Sequence, residues 1–353
     1  MQTNLNVDQK AAYYKLICAS ADVNAQIKCF FIVGPGGCGK IFLYKWLIST
    51  IRGEGYVVIP SVSTGIAANL LAGGRTYHSL FKVPVPVIET SVSSMRNNSI
   101  DAENIRHAKM LILDEATMAP HNAIACINRL LQEIMRNNKP FGGKLIILGG
   151  DFRQTLPVVP HGSRSAIIEA SIKFNNLWND FNILKLTSNV RSVDPTFSDW
   201  LIKLGNGELT NDKGLPEDII EIPDHLICEG SLIKEIFGDS LSGQDIEKYS
   251  TIAILTPKNT DVDDINEEVL SLLDETIVTY LSTDSIDDSD DKDKDNYPIE
   301  FLHELTPSGM PVHNMHLKVG SIIMLLRNLH TKRGLCNGTR LCIQTLKTNL
   351  IIA

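Results

Sequence analysis

The chain has 353 residues, 43% hydrophobic and 21% charged, with a formal net charge of −8. This is ordinary globular composition, long enough for two domain-sized cores, and no apolar run reaches the roughly 18 residues of a membrane helix. The acidic balance removes overall basic charge as an argument for nucleic acid, so any DNA path has to be a local groove and has to be argued from motifs.

The N-terminal residues 1–8 have no basic region followed by an apolar one and do not read as a signal peptide. Asn6 with Gln9 three residues later reads as a helix capping box. Residues 28–33 (KCFFIV), 56–61 (YVVIPS), 110–113 (MLIL) and 144–148 (KLIIL) read as buried strands, β-branched or Leu-rich and bounded by Gly or polar residues. Helical patterns fill 40–51, 64–72 and 120–137 between them. Strands alternating with helices predict an α/β fold, a parallel sheet covered on both faces. The stretch 82–104 breaks this rhythm with VPVPV and then Ser and Asn, and is read as a small insertion.

A second set of elements is expected from residue 184 onward. Asp194 is placed to cap a helix with Pro195 at its first position. Residues 251–256 (TIAILT) are expected as a strand, 261–273 as a helix, and 321–326 and 339–346 as two further strands. Residues 284–296 hold seven aspartates against two lysines and are expected as a solvated, disordered loop. The seven cysteines (Cys18, Cys29, Cys38, Cys126, Cys228, Cys336 and Cys342) form no CxxC pair, which reads as reduced thiols in an intracellular protein.

Gly34-Pro35-Gly36-Gly37-Cys38-Gly39-Lys40-Ile41 follows a predicted strand and opens a predicted helix, the context a phosphate-binding loop requires. Glycines let backbone amides turn toward phosphates, the helix N-terminus adds partial positive charge, and Lys40 reaches the β- and γ-phosphates. The residue after the lysine should be Ser or Thr, whose hydroxyl ligates Mg²⁺. Here it is Ile41, which offers no oxygen. Asp114 and Glu115 end the strand MLIL, where adjacent carboxylates can divide labour: Asp114 toward the metal, Glu115 toward the attacking water.

Further stretches narrow the reading. They are 60–68 (PSVSTGIAA), 73–79 (GGRTYHS), 149–158 (GGDFRQTLPV), 186–191 (LTSNVR) and 334–340 (GLCNGTR). In this order they resemble the Pif-family (petite integration frequency) DNA helicases of helicase superfamily one. Residues 140–144 (PFGGK), 157–163 (PVVPHGS) and 313–320 (HNMHLKVG) look like the helicase part of Helitron-type rolling-circle transposons. The resemblance implies two RecA-like domains, 1–183 and 184–353, the second incomplete, with ATP and Mg²⁺ bound between them. It implies a monomeric nuclear or mitochondrial motor that acts on single-stranded DNA and DNA junctions, usually 5′ to 3′. Repair, recombination, telomere maintenance or transposition would be its setting.

By matching position, Gln9 resembles the glutamine that reads adenine, Gln154 the γ-phosphate sensor and Arg191 the arginine finger. Arg153 fits either a catalytic or a structural role. Thr64, His78, Ser79, Asn337 and Thr339 match positions that touch the single strand, and each could instead cap a helix or turn. The insertion at 82–104 matches the strand-separating wedge. Relatives are expected to continue into an SH3-like subdomain and a final arginine-bearing motif beyond the end of this chain. Two rivals remain: a P-loop ATPase that does not unwind, and a catalytically dead DNA-binding relic, which Ile41 favours.

Overall fold

The computed structural model describes residues 4–353 apart from 23–24, 26, 161, 210–213, 215, 217–218, 242–245, 285–297, 306–309 and 331–332. It divides into two compact units, Met1–Pro216 and Glu217–Ala353. No helix among the described residues is long and apolar enough to cross a membrane.

In the first unit, helix α1 (Val7–Ala21) starts at the capping box: the Asn6 side chain accepts from the Gln9 N–H and the Gln9 side chain accepts from the Asn6 N–H. Strand β1 (Cys29–Val33), helix α2 (Lys40–Gly53) and strand β2 (Val57–Val62) follow. Helix α3 (Gly65–Ala68), strand β3 (Arg75–Thr76), helix α4 (Tyr77–Phe81) and helix α5 (Ile100–His107) lead to strand β4 (Ala108–Asp114). Helix α6 (His121–Met135), strand β5 (Leu145–Gly150), helix α7 (Arg164–Glu169), strand β6 (Asn182–Lys185) and helix α8 (Pro195–Asn206) complete the unit. The six strands form one sheet, order β3-β2-β4-β5-β1-β6, in which every pairing is parallel.

Both faces of this sheet are covered, which is why its strands are apolar throughout rather than alternating. Phe30, Ile32, Met110, Ile112 and Ile147 pack with α1 and α2 residues such as Leu16, Leu43 and Leu47. Phe31, Leu111, Leu113, Ile146 and Leu148 pack on the other side with α5 and α6 residues such as Ile105, Ile127 and Leu131. Successive residues of one strand thus serve opposite cores, as the two-residue period of a strand demands. The α/β P-loop fold expected from the sequence is what this unit adopts.

Three local expectations are corrected. The strand read as opening a second set is β6, and it belongs to the first sheet: it pairs with β1 from Phe30↔Asn182 to Val33↔Lys185. Without β6 the side of β1 away from β5 would expose an unpaired ladder edge, and Leu184 and Leu186 join the α1–α2 core. The helix read at 64–72 is only α3, because the chain turns at Leu71–Gly74, where any side chain on Gly74 would collide with the Ala68 carbonyl. The insertion at 82–104 is not free of helix, since Ser99 caps α5 within it. It is pinned to the unit by Arg129, which donates to the Glu89 and Ser91 carbonyls, and by Ser93, which donates to that of Phe81.

In the second unit, short helices α9 (Leu232–Phe237) and α10 (Ile246–Tyr249) precede α11 (Asn259–Ser271). Strand β7 (Val278–Leu281), helix α12 (Ile299–Glu304), strands β8 (Asn314–Leu317) and β9 (Ile322–Met324), then β10 (Arg340–Cys342), β11 (Thr345–Lys347) and β12 (Leu350–Ile352) follow. These strands form three separate antiparallel pairs, β7-β8, β9-β10 and β11-β12. The parallel sheet expected here therefore does not form among the described residues. Residues 251–256 are rich in β-branched residues but join no ladder among the described residues, and strand propensity without pairing makes no strand. The Ile252 carbonyl accepts instead from the Arg340 guanidinium at 2.6 Å. The acidic run at 284–296 lies outside the described residues except for Asp284.

Candidate nucleotide site

Strands β1, β5 and β4 lie side by side, and all three end on the same edge of the sheet. The loop 34–39 leaves β1, Asp114 ends β4 with Glu115 after it, and Gly149 and Gly150 end β5 before Asp151. Ligand crevices of open parallel sheets lie at strand C-terminal ends, so the topology alone gathers these motifs.

The loop is closely surrounded. A Cβ on Gly36 would lie 3.2 Å from Gln154 Nε2, and one on Gly37 would lie 2.8 Å from Asn189 Oδ1 and 2.9 Å from Arg191 Cβ. A side chain on Gly39 would collide with the Gln9 amide, and one on Gly34 with Cys38 Sγ. Gly37 (φ 87°) and Gly39 (φ 79°) also hold left-handed backbone that suits glycine. Pro35 is half-buried, and Cys38, between Gly37 and Gly39, is buried, its thiol pushed up by burial. The structure thus brings Gln9, Gln154 and Arg191 to the loop, Arg191 from the same unit rather than from a second domain. Asn189 joins them unforeseen, and its Oδ1 accepts from the Arg191 and Ser192 N–H groups.

Gln9 is 2% exposed, and its Nε2 donates to the Cys38 carbonyl at 3.1 Å. Both ends of its amide are engaged, so reading a base would require exchanging the Cys38 contact. Asp8 accepts from the Thr187 N–H (2.9 Å) and hydroxyl (2.6 Å), which holds its carboxyl below the usual range. The start of α1 therefore clamps both the loop and the stretch 186–191.

Lys40 is 7% exposed and donates to the Gly34 carbonyl at 2.8 Å. Burial raises the Asp114 carboxyl, and Lys40 opposes the shift. Burial also raises Glu115, followed by the negative charge of Asp114, again opposed by Lys40. Glu115 sits at φ 53° with its carbonyl accepting from the Ser63 hydroxyl at 2.6 Å. A left-handed glutamate is uncommon, and such strain gathers at functional sites.

Raised carboxyls fix the sign of a pH effect. The folded chain retains these protons over a window where the unfolded chain has lost them. Stability therefore falls as pH rises from the ordinary carboxylate value, about 4.3 for Glu, through the raised folded values. Glu115→Gln removes one of the two groups. The nucleotide-free variant should unfold at a higher temperature than the parent at pH 8, with the gap closing below about pH 4. A variant less stable at pH 8 would contradict the electrostatic account.

Two residues at this edge escaped the sequence reading. Asp151 is 2% exposed and accepts from Gln154 Nε2 (3.1 Å) and from Arg153 Nη1 (3.1 Å), so it orients both. Arg153 also donates to Asn206 Oδ1 at 2.7 Å and covers Gly205, which gives it a structural role. Tyr44 is fully buried, and a side chain on Gly149 would collide with its hydroxyl while lying 3.1 Å from Asp114 Oδ1. Burial and then the Asp114 charge push the Tyr44 phenol well above its ordinary value. Tyr44 Oη and Asp114 Oδ1 are both buried and face each other, with no partner among the described residues besides one another.

Ile41 is half-buried and packs against the α1–α2 core. Asp114 is thus the carboxylate placed to hold a cation here, with no hydroxyl at position 41.

Of the residues matched to DNA contact, Thr64, His78 and Ser79 lie in the first unit. Thr64 precedes α3 and its carbonyl accepts from the Ala68 N–H. His78 is stacked on Tyr77 with centroids 4.0 Å apart, and burial lowers its pKa. The Ser79 hydroxyl accepts from Arg75 at 3.3 Å, and Thr76 rather than Ser79 caps the helix. In the second unit Asn337 is exposed, its N–H held by Asn328 Oδ1 (2.9 Å). The Thr339 hydroxyl donates to the Gly334 carbonyl at 2.6 Å, tying its own turn.

Comparison with known proteins accords with this geometry. Residues 4–214 match the model of the PIF1-like helicase family, and residues 300–346 match the 2B domain of DNA helicase Pif1. The second match corrects the expectation that the subdomain after the core motifs lies wholly beyond the chain. An ATP-dependent DNA helicase Pif1 from a Psychrobacter species is 27% identical over 88% of the chain and 43% of its own length. The PIF1 helicase of Emericella nidulans is 28% identical over 88% of the chain and 38% of its own length. That of Bdellovibrio bacteriovorus is 26% identical, over 88% and 62%. The chain thus spans less than two thirds of each of these relatives. Among solved structures, Pif1 on forked duplex DNA superposes with a TM-score of 0.66 at 23% identity, covering 98% of this chain and 73% of that one. Bacteroides Pif1 bound to single-stranded DNA gives 0.63 at 20% identity, covering 99% and 71%.

Proposed function

The chain belongs to the PIF1-like helicase family, and on that premise we propose that it is motor machinery of an ATP-dependent DNA helicase. The observation that supports this best is the convergence of Lys40, Asp114, Glu115, Gln154 and Arg191 on one edge of the β4-β5-β1 sheet. In this reading the glycine-lined loop 34–39 cradles the phosphates of ATP and Lys40 exchanges its Gly34 contact for them. Glu115, with its raised carboxyl, accepts the proton of the attacking water. Gln154, held by Asp151, orients that water, and Arg191 faces the charge that develops on the transferring group. Asp114 would hold Mg²⁺, which supplies charge neutralisation between the phosphates.

The similar solved structures are of Pif1 at forked duplex DNA and of Pif1 bound to single-stranded DNA. For this chain we propose single-stranded DNA contacts, with unwinding in the 5′ to 3′ direction, at Thr64, His78 and Ser79 in the first unit and, separately, at Asn337 in the second. Thr339 shapes the turn that presents Asn337.

ATP turnover measured with and without single-stranded DNA tests the proposal, and strand displacement separates unwinding from simple ATPase activity. DNA affinity should fall steeply as salt rises, because phosphate contacts release counterions, and should show little base preference. A salt-insensitive or strongly sequence-specific complex would contradict the groove. Ile41 favours one second reading, a DNA-binding relic, which predicts DNA binding that is independent of nucleotide and no turnover at all.

A further inference from the structure

In the second unit the antiparallel pair β7-β8 opens onto a cluster of polar side chains. Ser282 and Asp284 follow β7, His313 precedes β8, and the Ser282 N–H donates to the His313 carbonyl at 2.9 Å. His303 comes to the same place from the last turn of α12. Asp284 Oδ2 lies 3.5 Å from His313 Nδ1 and 4.0 Å from His303 Nε2. The two imidazoles face each other with centroids 3.5 Å apart and planes 12° from parallel. Ser282 Oγ reaches both neighbours, Asp284 Oδ2 at 2.5 Å and His313 Nδ1 at 2.7 Å. Asp284, His303 and His313 are all half-buried, and a ligand atom from each lies within 4.8 Å of the other two.

We propose that Asp284, His303 and His313 form a binding site for a divalent transition-metal ion of the zinc type. Both nitrogen-to-oxygen gaps exceed an ordinary N–H···O bond, about 2.7–3.2 Å, so neither histidine bonds Asp284 directly, and the Ser282 bridge reaches His313 but leaves His303 unexplained. They do suit a shared ion. Bonds of about 2.0–2.2 Å at tetrahedral angles place neighbouring ligand atoms roughly 3.3–3.5 Å apart. The His313–Asp284 gap already has that length, and the His303–Asp284 gap needs half an ångström of closure. Two neutral imidazoles and one carboxylate are the donors that borderline cations choose, and they leave a coordination position for water. Ser282 donates an outer hydrogen bond to the carboxylate, and its contact with His313 Nδ1 gives way when that nitrogen takes the ion.

The stacked rings add a structural condition. A ligating nitrogen directs its lone pair within the plane of its ring, so parallel rings in contact cannot both aim at one ion. Binding must splay them. The ion would then fasten α12 to the β7-β8 pair and close the chain between residues 284 and 303. A clip across a loop of that length acts chiefly by restricting the unfolded chain.

The test uses Zn²⁺ alone, titrated into the metal-stripped full chain by calorimetry, with Co²⁺ as a spectroscopic probe. We expect one saturable site, a thermal midpoint that rises with Zn²⁺, and a Co²⁺ complex lacking an intense thiolate charge-transfer band. That last feature separates this site from any made by the seven cysteines. His303→Asn, His313→Asn and Asp284→Asn should each weaken binding by more than tenfold and cancel the thermal shift. Ser282→Ala, which leaves all three ligands, should retain saturable binding. Circular dichroism of each variant without metal checks that the fold is retained. Absence of saturable binding, a thiolate band, or unchanged affinity in a folded His303→Asn/His313→Asn double variant would each overturn the proposal.

Discussion

Replacing Lys40 with alanine should lower ATP and ADP affinity about 10–150-fold, the loss of a single charged hydrogen bond of about 1.5–3 kcal/mol. Lys40 is 7% exposed and is the cation that offsets the buried Asp114 and Glu115. The substitution therefore acts twice. It removes the ammonium that would meet the β- and γ-phosphates, and it leaves two neighbouring carboxylates facing those phosphates without a counter-charge. The Gly34 carbonyl also loses its 2.8 Å donor, so the nucleotide-free variant should unfold at a lower temperature than the parent. Calorimetric titration with ATP and with ADP measures the effect. Unchanged affinity in a folded variant would remove the loop 34–39 from the nucleotide site altogether.

How much of this could be read without coordinates varies with the physics involved. The loop 34–39 and the Asp114–Glu115 pair were legible because local spacing expresses their chemistry: glycines before a lysine, and carboxylates at the end of an apolar strand. The capping box at Asn6 and Gln9 was legible for the same reason. Tyr44 was not, although it follows Lys40 by four residues and so shares its helix face. On sequence alone it is one more apolar residue of an amphipathic helix, and only the packing of α2 on β5 sets its hydroxyl against Asp114. Strand β6 misled for a related reason. Its apolar run was recognised, but which ladder it completes depends on β1, about 150 residues earlier in the chain. Residues 251–256 failed in the opposite direction, having the composition of a strand and no ladder among the described residues. The Asp284–His303–His313 cluster lies on three separate segments with no motif spacing, so nothing in the linear order marks it.

Ile41 makes the sharpest division between binding and stability. A hydroxyl at this position of a phosphate-binding loop is a Mg²⁺ ligand, and Ile41 offers none. Magnesium favours near-octahedral oxygen coordination and gives up its waters reluctantly, so the isoleucine should leave nucleotide affinity only weakly dependent on Mg²⁺. Ile41→Thr should strengthen ATP binding in the presence of Mg²⁺ by roughly tenfold, the scale of one contact worth about 1.4 kcal/mol. Without Mg²⁺ the two proteins should bind ATP alike. The same change should reduce stability, because Ile41 packs against the α1–α2 core. The ethyl group lost is two half-buried carbons, about 1 kcal/mol at roughly 0.8 kcal/mol per fully buried carbon, and a loss of about 1 kcal/mol lowers the midpoint by ~2–4 °C in a unit of this size. Titrations with and without Mg²⁺, beside thermal melts of both proteins, read the two effects separately. If the parent chain already gains as much from Mg²⁺ as the threonine variant, the metal does not depend on position 41. Asp114 and the nucleotide would then suffice to hold it.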